Sequence, residues 1–241
     1  MIMAKYFDEH RWSEAIKHED WYLRLADDYK KLTKQAEESS KEISEEIKEE
    51  IYRFLENRLA KKEIALGKDG PNWDAERKQI DTIVIHHTKN PSGITWQRLS
   101  ATHLIRLYAM YYSSPTENEK HIKGQPIYSH HLRNGEQVFY VYHWLVRMNG
   151  EIERLLPDNE TGWQAGNWEA NCRSVAICLD NDFENSSPSK EVIATIAKII
   201  KENYNHVEKE RIFGHREINL KTTCPGNLFL EGWKKEILNL I

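Results

Sequence analysis

The sequence predicts an α/β protein whose central mixed β-sheet is flanked by helices and preceded by an N-terminal helical hairpin. Residues 1–80 hold 16 basic and 19 acidic side chains, with apolar residues at helical spacing. After residue 80, short β-branched runs alternate with helical patterns, which is typical of an α/β domain. The turn sequence Gly-Lys-Asp-Gly-Pro-Asn at 67–72 separates these regions. We therefore expect a charged amphipathic helical region over residues 1–70 and a second domain over residues 80–241.

Two amphipathic helices are predicted in the N-terminal region, with a break near Ser39 and Ser40. The second helix carries an apolar residue at every fourth position, namely Ile43, Ile47, Ile51, Leu55 and Leu59. The first shows similar spacing at Leu23, Ala26, Tyr29 and Leu32. Such stripes are normally buried. They could pack on each other, on the following domain or on a second copy of the chain, which would mean self-association through these helices. The short turn at 67–72 holds the hairpin close to the first strand and favours docking within the same chain.

The remaining elements follow from periodicity and turn signals. Asn134-Gly135 and Asn149-Gly150 are typical hairpin turns, and Ser189 is a helix N-cap. The predicted elements are strand 82–87, helix 99–112, hairpin strands 128–132 and 138–146, strand 152–156, buried strand 174–179, helix 189–204, strand 211–213 and a closing helix over 228–240.

Composition excludes two classes of partner. The 34 basic and 38 acidic residues give a net charge of -4 and are mixed along the chain, so no nucleic-acid surface is predicted. No run approaches the roughly 20 apolar residues that a membrane span needs, and the N-terminus runs directly into charged residues. We therefore expect no membrane partner and a protein that is cytoplasmic as synthesised. The odd count of three cysteines argues against a disulfide framework.

Ligand-type side chains follow predicted strand ends at His86, His215 and Cys224. Two imidazoles and a thiolate form a three-ligand zinc set that leaves a fourth position for water, as in catalytic zinc sites. Taken singly, each residue also fits a buried core histidine or a small buried thiol. His130 and His131 are rival ligands, but they lie in a stretch of about 113–135 that we interpret as an insertion, and we interpret them as surface or hydrogen-bonding histidines.

Six motifs stand in order along the second domain. They are Thr-Ile-Val-Ile-His-His-Thr at 82–88, Tyr-His-Trp-Leu-Val-Arg-Met-Asn-Gly at 142–150, Gly-Trp-Gln-Ala-Gly at 162–166, Ser-Val-Ala-Ile-Cys-Leu at 174–179, Gly-His-Arg-Glu at 214–217 and Thr-Thr-Cys-Pro-Gly at 222–226. In these motifs the chain resembles the type 2 N-acetylmuramoyl-L-alanine amidases, which include phage lysozyme-type amidases and peptidoglycan recognition proteins. The resemblance covers about residues 80–241. It implies a zinc groove with His86, His215 and Cys224 as ligands.

The resemblance also implies an activity and further site residues. The activity is hydrolysis of the amide between the lactyl group of N-acetylmuramic acid and L-alanine, in peptidoglycan or muropeptides. Tyr142 matches a tyrosine that hydrogen-bonds the water or the oxyanion, although a core aromatic fits as well. Thr222 matches a threonine of catalytic recognition proteins, where phage enzymes carry a lysine. Gln164 replaces a substrate-facing histidine of many members, and Trp163 and Trp168 either line the groove or pack within their loop.

Cys178 indicates which branch of the family the chain resembles. A branch that recycles anhydro-muropeptides uses a glutamate as general base where this sequence has Cys178, so the chain resembles the phage and recognition-protein branch more closely.

The alternative function is a non-catalytic peptidoglycan-binding or sensor module. Such members generally lose the cysteine ligand, so the presence of Cys224 favours the enzyme. Without a predicted signal, access to peptidoglycan would need phage release or another export route, or the substrate would be a cytoplasmic muropeptide.

Overall fold

The computed structural model describes residues 5–114 and 122–241. The chain forms two compact units. The helical unit comprises Met1–Pro71 and Thr95–Phe139, and the sheet unit comprises Asn72–Ile94 and Tyr140–Ile241. Residues 95–139, which the sequence analysis placed with the α/β domain, thus group with the N-terminal helices, and the domain division at residues 70–80 stays a prediction. No helix in the described ranges combines the length and apolar character of a membrane span.

The helical unit is built from helices with polar N-caps. Asp8, Ser40 and Thr95 each accept a hydrogen bond from a backbone N–H in the first turn of the helix that follows. The helices are α1 (Glu9–Ala15), α2 (Trp21–Glu38), α3 (Lys41–Ala60), α4 (Trp96–His103), a π-helical segment (Leu104–Tyr108) and α5 (Ala109–Ser113). The predicted helix over 99–112 is therefore confirmed as one helical run with a π-helical centre.

The apolar stripe of α3 is buried within this unit. Ile47, Ile51, Leu55 and Leu59 are all buried, whereas Ile43 near the start of the helix is 41% exposed. α3 contacts both α2 and α4. Arg98 of α4 reinforces the second contact, because its Nε donates to Glu56 Oε2 at 2.5 Å and its Nη1 donates to Glu49 Oε2 at 2.6 Å. The predicted helical hairpin is confirmed, and α4 also packs against its second helix, α3. Self-association through these helices stays a prediction.

The Asn134-Gly135 hairpin is present but shorter than predicted. Both turn residues have positive φ, 53° and 77°, as the turn requires. β2 (Leu132–Arg133) and β3 (Glu136–Gln137) pair for only two residues each. His130 has a φ of 68°, so the backbone before β2 leaves the extended conformation and cannot continue the ladder. Residues 115–121 of the predicted insertion lie outside the described residues.

The sheet unit holds five strands in the order β5-β4-β6-β1-β7. β1 (Thr82–His87) and β6 (Ser174–Leu179) have the bounds predicted from sequence, and both are buried throughout. β1 pairs in parallel with β6 and β7, and the antiparallel pair β4 and β5 makes the sheet mixed. The other elements are β4 (Trp144–Val146), β5 (Ile152–Arg154), α6 (Trp168–Arg173), α7 (Lys190–Asn203), β7 (Ile212–Gly214), α8 (His215–Ile218) and α9 (Lys234–Leu240). This confirms the predicted fold class.

Alternation along β1 separates the core from the site. Ile83 and Ile85 join a hydrophobic core with residues of α7 and with Phe229 and Trp233. His87 lies on the same face as these two isoleucines, and its Nδ1 accepts a hydrogen bond from the Phe183 backbone N–H at 2.9 Å. His86 therefore points to the opposite face, as predicted, where its neighbour across the ladder is Cys178 of β6.

The burial pattern of α3 generates a stability test with a matched control. We expect Ile47→Ala to lower the free energy of unfolding by about 2–5 kcal/mol, because it empties a fully buried site. Ile43→Ala removes the same atoms from the exposed end of the stripe and should cost no more than about 0.5 kcal/mol. Urea denaturation followed by far-UV circular dichroism measures both. Equal losses for the two variants would contradict the assigned packing.

Candidate metal centre

Three segments of the sheet unit bring two imidazoles and a thiol together. His86 is the fifth residue of β1, His215 begins α8 directly after β7, and Cys224 lies in the loop that follows α8. One ligand atom from each residue lies within 4.8 Å of the others, and these three residues are the one such group found in residues 5–114 and 122–241. His130 and His131 are outside it. The structure thus brings together the three ligands predicted from sequence.

His86 is held from both sides of its ring. The side chain is 1% exposed, its Nδ1 lies 3.6 Å from Cys224 Sγ, and its Nε2 lies 2.5 Å from Gln164 Oε1. The His215 ring stacks at a tilt beside it, with 4.7 Å between ring centroids. Nδ1 is therefore the nitrogen that faces the Cys224 thiol.

His215 presents a buried nitrogen whose hydrogen-bonding capacity is not used by any residue that the structure describes. Its ring bonds the Ala165 backbone carbonyl, while its buried Nε2 has no hydrogen-bond partner in residues 5–114 and 122–241. Burial lowers the pKa of His215, so the ring is neutral near pH 7. α8 begins at this residue because the Gly214 N–H donates to Glu217 Oε2 at 2.7 Å. A buried neutral imidazole with an unpaired nitrogen suits a metal ligand.

Cys224 sits in a tightly constrained loop. Its backbone N–H donates to Thr222 Oγ1 at 3.1 Å, and its peptide bond to Pro225 is cis. Gly226 has a φ of 125°, and a Cβ there would lie 1.9 Å from the Phe183 carbonyl oxygen, so only glycine fits. Burial raises the pKa of the Cys224 thiol to about 12. A cation at the site would reverse this, because a coordinating thiol is deprotonated.

The donor set fits zinc. Imidazole and thiolate are the donors that zinc prefers, and catalytic zinc sites use three protein ligands and keep a position open for water or substrate. The unpaired Nε2 of His215 and the adjacent thiol are buried polar groups that a metal would satisfy. The His/His/Cys group is therefore a candidate zinc centre.

Tyr142 and Cys178 flank His86. The rings of Tyr142 and His86 lie 5.0 Å apart, and the side chains of Tyr142 and Cys178 are hydrogen-bonded. Burial raises the pKa of the Cys178 thiol well above its ordinary value, so this thiol stays protonated near neutral pH and does not act as a base. Tyr142 thus lies beside the candidate centre, and its role in catalysis stays a prediction.

The remaining predicted site residues have other surroundings. Gln164 is 5% exposed, and its side chain contacts His86 and Ser174. Thr222 uses its hydroxyl to accept from the Cys224 N–H. Trp163 and Trp168 form an edge-to-face cluster with Trp73, with 5.5–6.3 Å between ring centroids. Their roles in substrate binding and catalysis stay predictions. Sequence reasoning missed two residues around Gln164. Asn171 accepts from the backbone N–H groups of Gln164 and Ala165, and Ser174 accepts from the Gln164 side chain. In the sequence Ser174 is only a small polar residue at the start of a strand.

The fold and the donor set define an α/β domain with a candidate zinc centre. Residues 76–227 match the model of the Amidase_2 family, described as N-acetylmuramoyl-L-alanine amidase, and the chain belongs to this family. Over 96 residues the chain is 28% identical to the 1,6-anhydro-N-acetylmuramyl-L-alanine amidase AmpD of Haemophilus influenzae, covering 36% of this chain and 52% of that protein. The chain thus spans about half the length of this curated relative.

Solved structures with a similar fold include amidases and a recognition protein. The N-acetylmuramoyl-L-alanine amidase LysC from Clostridium intestinale is 20% identical with a TM-score of 0.48, over 71% of this chain and 91% of that one. A selenomethionine derivative of AmpD is 19% identical with a TM-score of 0.45, over 66% and 85%. Drosophila peptidoglycan recognition protein SD is 20% identical with a TM-score of 0.41, over 67% and 83%.

The ligand assignment predicts the metal content of cysteine variants. Wild-type protein should hold one zinc per chain, and Cys224→Ser should lose most of it, because a neutral hydroxyl is a much poorer zinc ligand than a thiolate. Elemental analysis after purification without chelator measures the ratio. Cys172→Ser is the matched control, since Cys172 is also buried but lies outside the group of three donors. Full zinc content in Cys224→Ser would show that the thiol is not a ligand.

Proposed function

We propose that this protein is a zinc-dependent amidase that hydrolyses the bond between the lactyl group of N-acetylmuramic acid and L-alanine in peptidoglycan or muropeptides. The observation that carries the proposal is the group of two imidazoles and one thiol, in which His215 Nε2 is buried and has no hydrogen-bond partner among the described residues. Membership of the Amidase_2 family supports the choice of this bond.

The chemistry divides between the metal and the protein side chains. When bound, zinc supplies Lewis acidity, which polarises a carbonyl and lowers the pKa of water to about 7. Hydrolysis places a water oxygen on the lactyl carbonyl carbon, breaks the carbon–nitrogen bond and releases the alanine nitrogen as an amine that has gained a proton. Burial keeps the His215 ring neutral near pH 7, so its Nε2 can bind a metal without first losing a proton.

Tyr142 is the group that we propose to assist the transition state. Its ring lies beside His86, and its hydroxyl is within reach of Cys178, so it borders the face of β1 that carries the metal ligands. A phenolic hydroxyl at this position donates a hydrogen bond to the negative charge that develops on the carbonyl oxygen. Thr222 contributes to the same reaction by positioning Cys224, because its hydroxyl oxygen accepts a hydrogen bond from the Cys224 backbone N–H.

The tryptophan cluster is the surface that we propose for the glycan. Trp168 is 36% exposed, and its indole N–H donates to Glu76 Oε2 at 2.7 Å. Trp163 precedes Gln164, whose side chain contacts His86. Aromatic rings present an apolar face together with a polar edge, which suits the mixed surface of a sugar.

Mass spectrometry of a defined muropeptide tests the activity. We expect zinc-loaded protein to convert N-acetylmuramyl-L-alanyl peptide into free N-acetylmuramic acid and a peptide with an unblocked L-alanine. The Cys224→Ser variant should leave the substrate intact. Binding of the muropeptide without cleavage, by protein shown to contain zinc, would instead favour the peptidoglycan-binding or sensor module.

The role of Tyr142 predicts a selective effect on turnover. Tyr142→Phe keeps the ring and removes the hydroxyl, so kcat should fall about 10- to 1000-fold with KM little changed. Tyr204→Phe serves as the control, because its hydroxyl bonds Trp144 and Asp158 in the sheet unit and none of the three donor residues. Steady-state kinetics on the same muropeptide measure both variants. An unchanged kcat in Tyr142→Phe would leave Tyr142 as a packing residue.

A further inference from the structure

The loop of Gln164 and Ala165 contacts both candidate histidine ligands. Gln164 Oε1 lies 2.5 Å from His86 Nε2, and the Ala165 carbonyl accepts from the His215 ring. Gly162 permits this approach, since a Cβ there would lie 2.3 Å from the Val141 carbonyl oxygen. Two adjacent residues of one loop thus reach the outer nitrogens of two ligands that come from different elements of the sheet unit.

The direction of each hydrogen bond can be deduced from a backbone carbonyl. Ser174 Oγ donates to the Ala170 carbonyl oxygen at 2.6 Å, and a carbonyl only accepts. Ser174 Oγ has then used its proton, so it accepts from Gln164 Nε2 at 2.8 Å. The amide orientation follows, and Gln164 Oε1 faces His86. Because this oxygen also only accepts, the proton of His86 lies on Nε2 and the lone pair lies on Nδ1, the nitrogen that faces Cys224.

The loop itself is fastened by a buried side chain of α6. Asn171 Oδ1 accepts from the backbone N–H groups of Gln164 at 3.1 Å and Ala165 at 2.8 Å. Gln164, Asn171 and Ser174 are all buried, at 5%, 6% and 0% exposure. Buried hydrogen-bond networks whose members are all satisfied restrict side chains to one arrangement. Gln164 therefore has little freedom to turn away from His86.

We propose that Gln164 is a positioning residue, which holds His86 in the Nδ1-ligating tautomer and orientation, while the adjacent Ala165 carbonyl holds His215 in the tautomer that would ligate through Nε2. This inference rests on the zinc centre of the proposed function. It assigns to Gln164 a task in metal binding that does not require contact with substrate. Outer hydrogen-bond partners of metal-bound histidines fix the tautomer and the ring orientation in this way.

Three variants of the full-length protein test the proposal through zinc affinity. Gln164→Leu removes the acceptor and keeps a similar volume, so zinc binding should weaken about 10- to 100-fold, as for other outer-shell losses. Gln164→Glu restores an acceptor for the His86 Nε2–H and should bind zinc within about threefold of wild type or more tightly. Gln137→Leu is the matched control, since the Gln137 side chain bonds Gly67 and Ser129 of the helical unit. Competition with a chromophoric chelator measures the affinities.

A spectroscopic readout separates positioning from simple destabilisation. Cobalt(II) is the probe, because its visible bands report ligand geometry. Gln164→Leu should change these bands while keeping the sulfur-to-cobalt charge-transfer absorption of Cys224. The melting temperature of each metal-free variant is recorded in parallel. Weak zinc binding with an unchanged cobalt spectrum, or no recovery in Gln164→Glu together with lowered melting temperatures, would show that Gln164 only fills space and would overturn the proposal.

The outcomes distinguish this inference from the proposed function. Zinc-loaded wild type that fails to cut muropeptides, with weakened binding in Gln164→Leu, refutes the activity and supports the positioning role. If wild type cuts muropeptides and Gln164→Leu binds zinc as tightly as wild type, the activity is supported and the positioning role is refuted. A wild-type chain that binds no zinc overturns both.

Discussion

The site depends on the parallel pairing of β1 with β6 on one side and β7 on the other. Because parallel strands end at the same edge of a sheet, this pairing brings the end of β1, which carries His86, next to the end of β7, where His215 begins α8. The same register sets Cys178 directly beside His86. The pairing is sustained by apolar burial on the other face, where the isoleucines of β1 and β6 pack into a core that excludes water. The core is therefore what fixes the relative positions of the ligands.

Hydrogen bonds from neighbouring residues orient the two candidate histidine ligands. Each imidazole of the pair uses one nitrogen for a protein acceptor, Gln164 for His86 and the Ala165 carbonyl for His215. A buried donor left unpaired would cost about 1–3 kcal/mol, so the folded chain has a strong preference for this tautomer at each ring. The two remaining nitrogens and the Cys224 thiol are left to face one another.

The sequence predicted the parts of this arrangement that depend on local pattern. The bounds of β1 and β6 followed from β-branched runs, and the three candidate ligands, which the structure brings together, followed from their places at strand ends together with family motifs. Two features did not follow. The grouping of α4 with α2 and α3 depends on long-range packing and on the ion pairs of Arg98, which no periodicity encodes. The contact of Gln164 with His86 depends on a loop conformation set by Asn171, which the sequence pattern does not reveal.

The charge of the donor set also bears on the chemistry. Two neutral imidazoles and one thiolate contribute a single negative charge, so a bound zinc ion would retain a net positive charge at the site. Structural zinc sites with several thiolates neutralise the ion, whereas this set would leave it electrophilic. Burial makes the thiol hard to ionise without a cation, as its pKa of about 12 indicates. The donor set is therefore neutral before metal binds, and low-dielectric surroundings would strengthen the interaction of a bound ion with a carbonyl group.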